Sequence, residues 1–241
     1  MLTIHKNHET LSQAVAERVA KVLQEKPHAL ICLPSGNTPL RLFEILVNQH
    51  EIGEINFSRC TFALLDEWLG MDGQDEGSCR YWIDEKLLNP LGFKAEQIIA
   101  FDAKNADLKG ECERVNQEID ELGGFDLVVL GVGMNGHLAL NEPGTSFDSY
   151  AHVSALDPLT AQVGQKYFAK PTSLAEGITL GLRHFLEAKE LIVMASGAAK
   201  APVMKRALEG EVTEDFPASV VQRDDKILVM LDEEAAATLA S

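Results

Sequence analysis

Between residues 131 and 144 the chain reads Gly-Val-Gly-Met-Asn-Gly-His-Leu-Ala-Leu-Asn-Glu-Pro-Gly. One imidazole, His137, sits among four glycines, with a carboxylate, Glu142, five residues on. A histidine exchanges a proton near neutral pH, and a carboxylate beside it fixes its tautomer and raises its basicity. A purely structural histidine, hydrogen-bonded inside a tight turn, is the competing explanation. A second candidate is the pair Asp66-Glu67, which follows the apolar run 61–65. A carboxylate at a strand end can serve as a general base when partial burial tunes its pKa. A solvated strand terminus or a helix cap accounts for the same pair without chemistry.

Two further segments suit an anion. Ser35-Gly36-Asn37-Thr38 lies between a strand-like and a helix-like run. There, backbone amides at the helix start and the helix dipole favour negative charge, with the hydroxyls of Ser35 and Thr38 as added donors. It is neither a P-loop nor a GxGxxG fingerprint, and a plain helix cap would look alike. Ser196-Gly197-Ala198-Ala199-Lys200 repeats the arrangement after another apolar run. A cation is not favoured at a helix N-terminus, so a bound anion would explain Lys200; an exposed surface lysine is the competing explanation, and the favoured one for this loop taken alone.

The elements that position these loops follow from periodicity. Residues 10–25 read as a helix with Thr10 or Ser12 as its N-cap, followed by a strand at 28–33 and a helix at 39–49. A strand at 61–65, a helix at 78–88, a short strand at 97–101 and an acidic helix at 107–122 follow. The run 125–131 is a buried parallel strand, and ligands bind beyond the carboxyl ends of such strands. Residues 155–176 read as a helix or a mobile cover over the site. Strand-like residues at 178–180, a short helix at 183–186, a strand at 191–195 and a helix at 199–208 come next. Closing strands at 219–221 and 227–230 are expected to add antiparallel edges. The alternation predicts one three-layer α/β domain over residues 1–241 with a mainly parallel sheet.

Composition bounds the partners. With 21 Lys and Arg against 37 Asp and Glu, the net charge is −16. That disfavours nucleic acid, which is bound by cationic faces, and leaves any phosphate to local amides and a few cations. The four cysteines are scattered; Cys32 and Cys60 lie in apolar runs and read as buried free thiols. No His, Cys or carboxylate cluster suggests a metal. Without an apolar leader or an eighteen-residue apolar run, no membrane contact and a cytoplasmic location are expected.

Together these pieces resemble the glucosamine-6-phosphate deaminase/isomerase family. The carrying segments are Gly133-Met134-Asn135-Gly136-His137 with Asn141-Glu142-Pro143, Leu33-Pro34-Ser35-Gly36-Asn37-Thr38-Pro39, Asp66-Glu67-Trp68, and Gly197-Ala198-Ala199-Lys200, in the family's order. The resemblance implies a Rossmann-like α/β fold and a cofactor-free reaction on a hexosamine 6-phosphate. By the same resemblance, His137 opens the pyranose ring with Glu142 as its supporting carboxylate. Asp66 shuttles a proton between C2 and C1, and ammonia leaves to give a ketose 6-phosphate. Ser35, Gly36, Asn37, Thr38 and Lys200 would hold the phosphate, and Lys166 stands where many members have an arginine that reaches it.

Two departures qualify the likeness. Asn135 replaces an aspartate found in some members, which leaves Glu142 as the anion near His137. Members regulated by N-acetylglucosamine 6-phosphate carry basic residues soon after Asn-Glu-Pro, whereas residues 145–155 here offer only His152, so no such activation is expected. Three rival readings remain: the galactosamine 6-phosphate activity, suggested by Leu65-Asp66-Glu67-Trp68 and residues 178–182; 6-phosphogluconolactone hydrolysis; and a non-catalytic sugar-phosphate sensor. Little chain follows the last strand, which suggests a monomer or small homo-oligomer.

Overall fold

The structure is a computed structural model that describes residues 1–240. In chain order the elements are β1 (Leu2–His5), α1 (His8–Glu25), β2 (Leu30–Cys32), α2 (Leu40–Glu51), β3 (Thr61–Ala63), β4 (Asp66–Trp68) and α3 (Cys79–Ile83). They continue with β5 (Ile98–Ile99), α4 (Leu108–Glu121), β6 (Leu127–Leu130), β7 (His152–Ala155) and α5 (Pro158–Gly164). Last come β8 (Glu176–Thr179), α6 (Leu182–Leu186), β9 (Leu191–Ala195), α7 (Ala201–Glu209) and β10 (Leu228–Asp232).

Strands β2, β6 and β9 have no polar face, and every residue in them is buried. That is the pattern of strands covered on both sides. They form the middle of a seven-stranded sheet ordered β1-β10-β9-β6-β2-β3-β5, in which every neighbouring pair is parallel. Alternate residues feed two cores. Ile31, Leu127, Val129 and Ile192 pack with α1 and α2 through Val15, Val19, Phe43 and Leu46. Leu30, Val128, Leu130 and Val193 pack on the other face with Val115 of α4 and Met204 of α7. The three-layer, mainly parallel arrangement read from the alternation is therefore present.

Between β2 and β6 the strand order reverses direction along the chain, because β3 and β5 extend the sheet one way and β6, β9 and β10 the other. Such a switch point leaves a crevice at the carboxyl ends of the two strands. The loops that begin at Leu33 and Gly131 both open into it.

The antiparallel addition is formed by different residues from those expected. Strand β4 pairs with β8, and β8 with β7, as a separate three-stranded sheet. Strand β10 is instead parallel to both its neighbours. Residues 219–221 are not a strand: they lie in the 3-10 helix Pro217–Gln222, begun by a proline and buried under the glycine-rich loop, where Ala218 N–H donates to Gly136 O at 2.8 Å. Packing overrides the β-propensity of Val220 and Val221 there. Helix α1 starts earlier than expected, capped by Asn7, and Thr10 serves as the third residue of a reciprocal capping box. Residues 155–176 span the end of β7, α5, a 3-10 turn over Gln165–Tyr167 and the connection to β8. Among the described residues no helix is long and apolar enough to cross a membrane.

Candidate active site

A cavity of about 370 Å³ occupies the crevice at the switch point. Residues 34–39 form one wall and residues 131–135 with His137 another, while Asp66 and Trp68, α5 and the following turn, and Lys200 complete it. Nine of the ten residues singled out from the sequence line this one space: Ser35, Gly36, Asn37, Thr38, Asp66, Asn135, His137, Lys166 and Lys200. The tenth, Glu142, is buried behind His137, with its Oε2 3.6 Å from the imidazole Nδ1.

The glycine-rich loop presents the imidazole. A Cβ on Gly133 would fall 2.3 Å from the His137 ring, so only glycine lets the backbone lie against it. Asn135 does not meet the ring. Its Oδ1 accepts the His137 backbone N–H at 3.2 Å, and its amide donates to Glu142 Oε2 at 2.7 Å. Burial pushes the Glu142 pKa up, but the imidazole, Thr160 and Asn135 outweigh that and hold it below its ordinary value. Glu142 is thus an anion beside His137.

Asp66 arrives by a route the sequence concealed. The chain leaves the main sheet after β3, and Asp66 begins β4 opposite Thr179 of β8. Side chains alternate along a strand, which separates the two carboxylates. Asp66 faces the cavity, while Glu67 turns away and accepts the N–H groups of Trp68, Cys79 and Arg80 at 2.8, 2.9 and 2.9 Å. Glu67 thereby takes up the free amides at the start of α3. Burial pushes Asp66 up to about 6, opposed by Cys79 and by the charge of His137. Burial likewise takes Glu67 to about 7 against its three amides. A carboxyl group near 6 is poised to take a proton at neutral pH.

The two loops read as anion sites differ. In the first, Gly36 has φ +101°, and no backbone acceptor among the described residues takes the N–H groups of Gly36, Asn37 or Thr38. His8 Nε2 anchors the loop from behind by donating to Thr38 O at 2.7 Å. In the second, Asp232 at the end of β10 already fills the anion's place: it accepts the Ser196 hydroxyl and the Gly197 N–H, the latter at 3.0 Å. Only Lys200 reaches the cavity from that loop, its ammonium donating to Val132 O at 2.5 Å. Burial, then the charge of Lys166, lowers Lys200 to about 8. Burial also lowers Lys166. Two partly desolvated cations and a loop whose amides have no backbone acceptor thus line one cavity of an otherwise acidic protein.

Known proteins resemble this chain over nearly its whole length. The family model for glucosamine-6-phosphate isomerases/6-phosphogluconolactonase matches residues 5–230. The chain belongs to this family. Among relatives, glucosamine-6-phosphate deaminase 1 of Bacillus subtilis (strain 168) is 34% identical over 230 residues, covering 95% of both chains. The glucosamine-6-phosphate deaminase of Halalkalibacterium halodurans is 34% identical over 236 residues, covering 98% of this chain and 96% of its own. A solved structure of a monomeric glucosamine-6-phosphate deaminase superposes with a TM-score of 0.94 at 33% identity, covering 98% of both chains. The 6-phosphogluconolactonase of Trypanosoma brucei, at 20% identity and a TM-score of 0.78 over 100% of this chain and 98% of its own, shares the fold.

Within this glucosamine-6-phosphate isomerase/lactonase fold, sequence reasoning missed three residues. Thr160 of α5 lies 3.0 Å from His137 Nδ1. Tyr167 lines the cavity with its hydroxyl 3.0 Å from where a Gly36 Cβ would be. Asp232 holds the loop after β9 in place. Only Asp232, a carboxylate directly ending an apolar strand beside a serine-glycine loop, had a readable signal.

Proposed function

We propose that the protein is a glucosamine-6-phosphate deaminase, converting glucosamine 6-phosphate and water to fructose 6-phosphate and ammonia. The observation that carries this reading is that Asp66 and His137 line one cavity with an anion cradle in the same walls. The phosphate sits against the amides of residues 35–38, with Lys166 and Lys200 as counter-charges. This remote group fixes the sugar, and its binding energy is realised as orientation at C1 and C2. His137 moves the proton from the C1 hydroxyl to the ring oxygen, so that the pyranose opens, and Glu142 stabilises the imidazolium that forms in passing. Asp66, as carboxylate, takes the C2 proton alpha to the C1 carbonyl. The enolamine so formed receives that proton at C1, and water hydrolyses the resulting ketimine with loss of ammonia. None of these steps calls for a cofactor.

The relatives named above favour the glucosamine epimer over galactosamine. The Asp66 carboxylate favours isomerisation over lactone hydrolysis, which removes no proton from carbon. Ammonia release from glucosamine 6-phosphate, measured beside galactosamine 6-phosphate and with hydrolysis of 6-phosphogluconolactone in parallel, tests the reading. Turnover of glucosamine 6-phosphate should dominate; preferred turnover of either of the others, or tight binding without turnover, overturns it.

A further inference from the structure

The imidazole of His137 meets a hydroxyl before it meets a carboxylate. Thr160 Oγ1 lies 3.0 Å from Nδ1, whereas Glu142 Oε2 is 3.6 Å away, outside hydrogen-bond reach. Asn135 spends its oxygen on a backbone amide and its amino group on Glu142, with a longer 3.4 Å contact to Thr160 Oγ1. Thr160 is buried, and its hydroxyl is among the groups that stabilise the Glu142 anion. A hydroxyl has one proton and two lone pairs. The Asn135 amide reaches this oxygen as one donor, and an Nδ1–H on the imidazole, favoured by the Glu142 anion 3.6 Å away, would be its second.

We propose that Thr160 is a positioning residue for the ring-opening step, its oxygen accepting the Nδ1–H of His137 so that Nε2 is the basic nitrogen. The opposite tautomer would require Thr160 to donate to Nδ1 and would leave the lone pair of that nitrogen facing the Glu142 anion. The imidazole is therefore oriented from α5, outside the glycine-rich loop that carries it. Lys166 follows α5 directly, so the group that orients the acid/base and a cation of the anion pocket share one short support. This inference rests on reading His137 as the proton carrier.

The test pairs kinetics with imidazole nitrogen NMR on the folded protein. In the unaltered protein and in Thr160→Ser, neutral His137 should carry its proton on Nδ1. In Thr160→Val, which keeps the shape without the hydroxyl, the two tautomers should mix. The kcat of Thr160→Val should fall roughly 10- to 100-fold, as when the second ring nitrogen of an ordered histidine loses its partner, with KM nearly unchanged and most of the rate restored in Thr160→Ser. Thr160→Ala gives the same comparison if valine disturbs α5. An unchanged tautomer in Thr160→Val, a loss confined to KM, or a serine variant as slow as the valine variant overturns the proposal. Should the protein release no ammonia from glucosamine 6-phosphate, the reading of function falls, while the NMR measurement still decides what Thr160 does.

Discussion

The loop after β2 and the loop after β9 share a serine-glycine pair near the carboxyl end of a buried parallel strand, and both lead into a helix. Gly36 and Gly197 have the same left-handed backbone, φ +101° and +91°. In the first loop the amides have no backbone acceptor and their residues line the cavity, whereas in the second Asp232 has closed on the serine hydroxyl and the glycine amide. What differs is the neighbouring strand. β2 lies between β3 and β6, which end on Ala63 and Leu130, whereas β9 has β10 beside it, which ends on Asp232. An amide nest is available to a ligand only where the fold supplies no anion of its own.

The strongest way to break this comparison is to show that chemistry does not happen between the first loop and His137. Asp66→Asn and His137→Gln should each lower kcat by roughly 10²- to 10⁴-fold, the usual contribution of a positioned acid or base, with the fold intact by circular dichroism. Near-normal turnover in either variant would remove that residue from the mechanism. Next in size, the same substitution at both glycines sets one loop against the other. Alanine at either position strains the backbone by about 1–3 kcal/mol, but at Gly36 its Cβ also meets the Tyr167 hydroxyl at 3.0 Å, while at Gly197 it meets open space. Gly36→Ala should raise KM about tenfold or more, equivalent to about 1.4 kcal/mol or more of lost binding. Gly197→Ala should leave KM nearly unaltered, and equal KM values in the two variants would dissolve the distinction.

The pH profile sharpens it further. Asp66 must be ionised to take a proton, so kcat/KM should rise with pH through about 6. Lys200 must be charged to hold a phosphate, so KM should rise once pH passes about 8. Lys200→Ala should raise KM about tenfold at neutral pH, again about 1.4 kcal/mol, and erase the alkaline rise while leaving the acid limb. An alkaline limb that survives in Lys200→Ala would assign it to another group.

Much of this is legible in the sequence. Helices α1 and α4 announce themselves by their 3.6-residue period, and β2, β6 and β9 by unbroken apolar runs, because each signal is local. Of the ten residues chosen by type, spacing and family resemblance, nine line one cavity, since a strand-end loop in an open parallel sheet has few other places to point. What stayed hidden depends on pairings far apart in sequence. Asp66-Glu67-Trp68 looks like the tail of β3 until β8 pairs with it antiparallel. Thr160 has no motif and gains its place only when α5 folds over the glycine-rich loop. Val220-Val221 has the composition of a strand and the contacts of a buried turn.

The smallest effect on activity, and the clearest separation of the two loops, should come from Asp232→Asn. The carboxylate is buried, and besides Ser196 and Gly197 it accepts the N–H of Ala235 at 2.8 Å. Burial pushes its pKa up, yet Ser196 and those amides outweigh burial and hold it below the ordinary aspartate value. A depressed folded-state pKa means that the unfolded chain binds the proton more readily. The stabilisation is therefore complete above the unfolded-state value of about 3.9 and is lost as pH falls through the folded-state one. At neutral pH Asp232→Asn should lower unfolding stability by about 1–3 kcal/mol, the cost of trading charge-assisted bonds for an amide that carries its own donors. The gap from the unaltered protein should narrow below about pH 4, where the unfolded chain takes up the proton before the native carboxylate does. KM should stay within about twofold, a shift under about 0.5 kcal/mol, because the proposed function places the substrate on the other loop. A variant of unchanged stability whose KM has risen tenfold would make Asp232 part of the ligand site and the second loop the equal of the first.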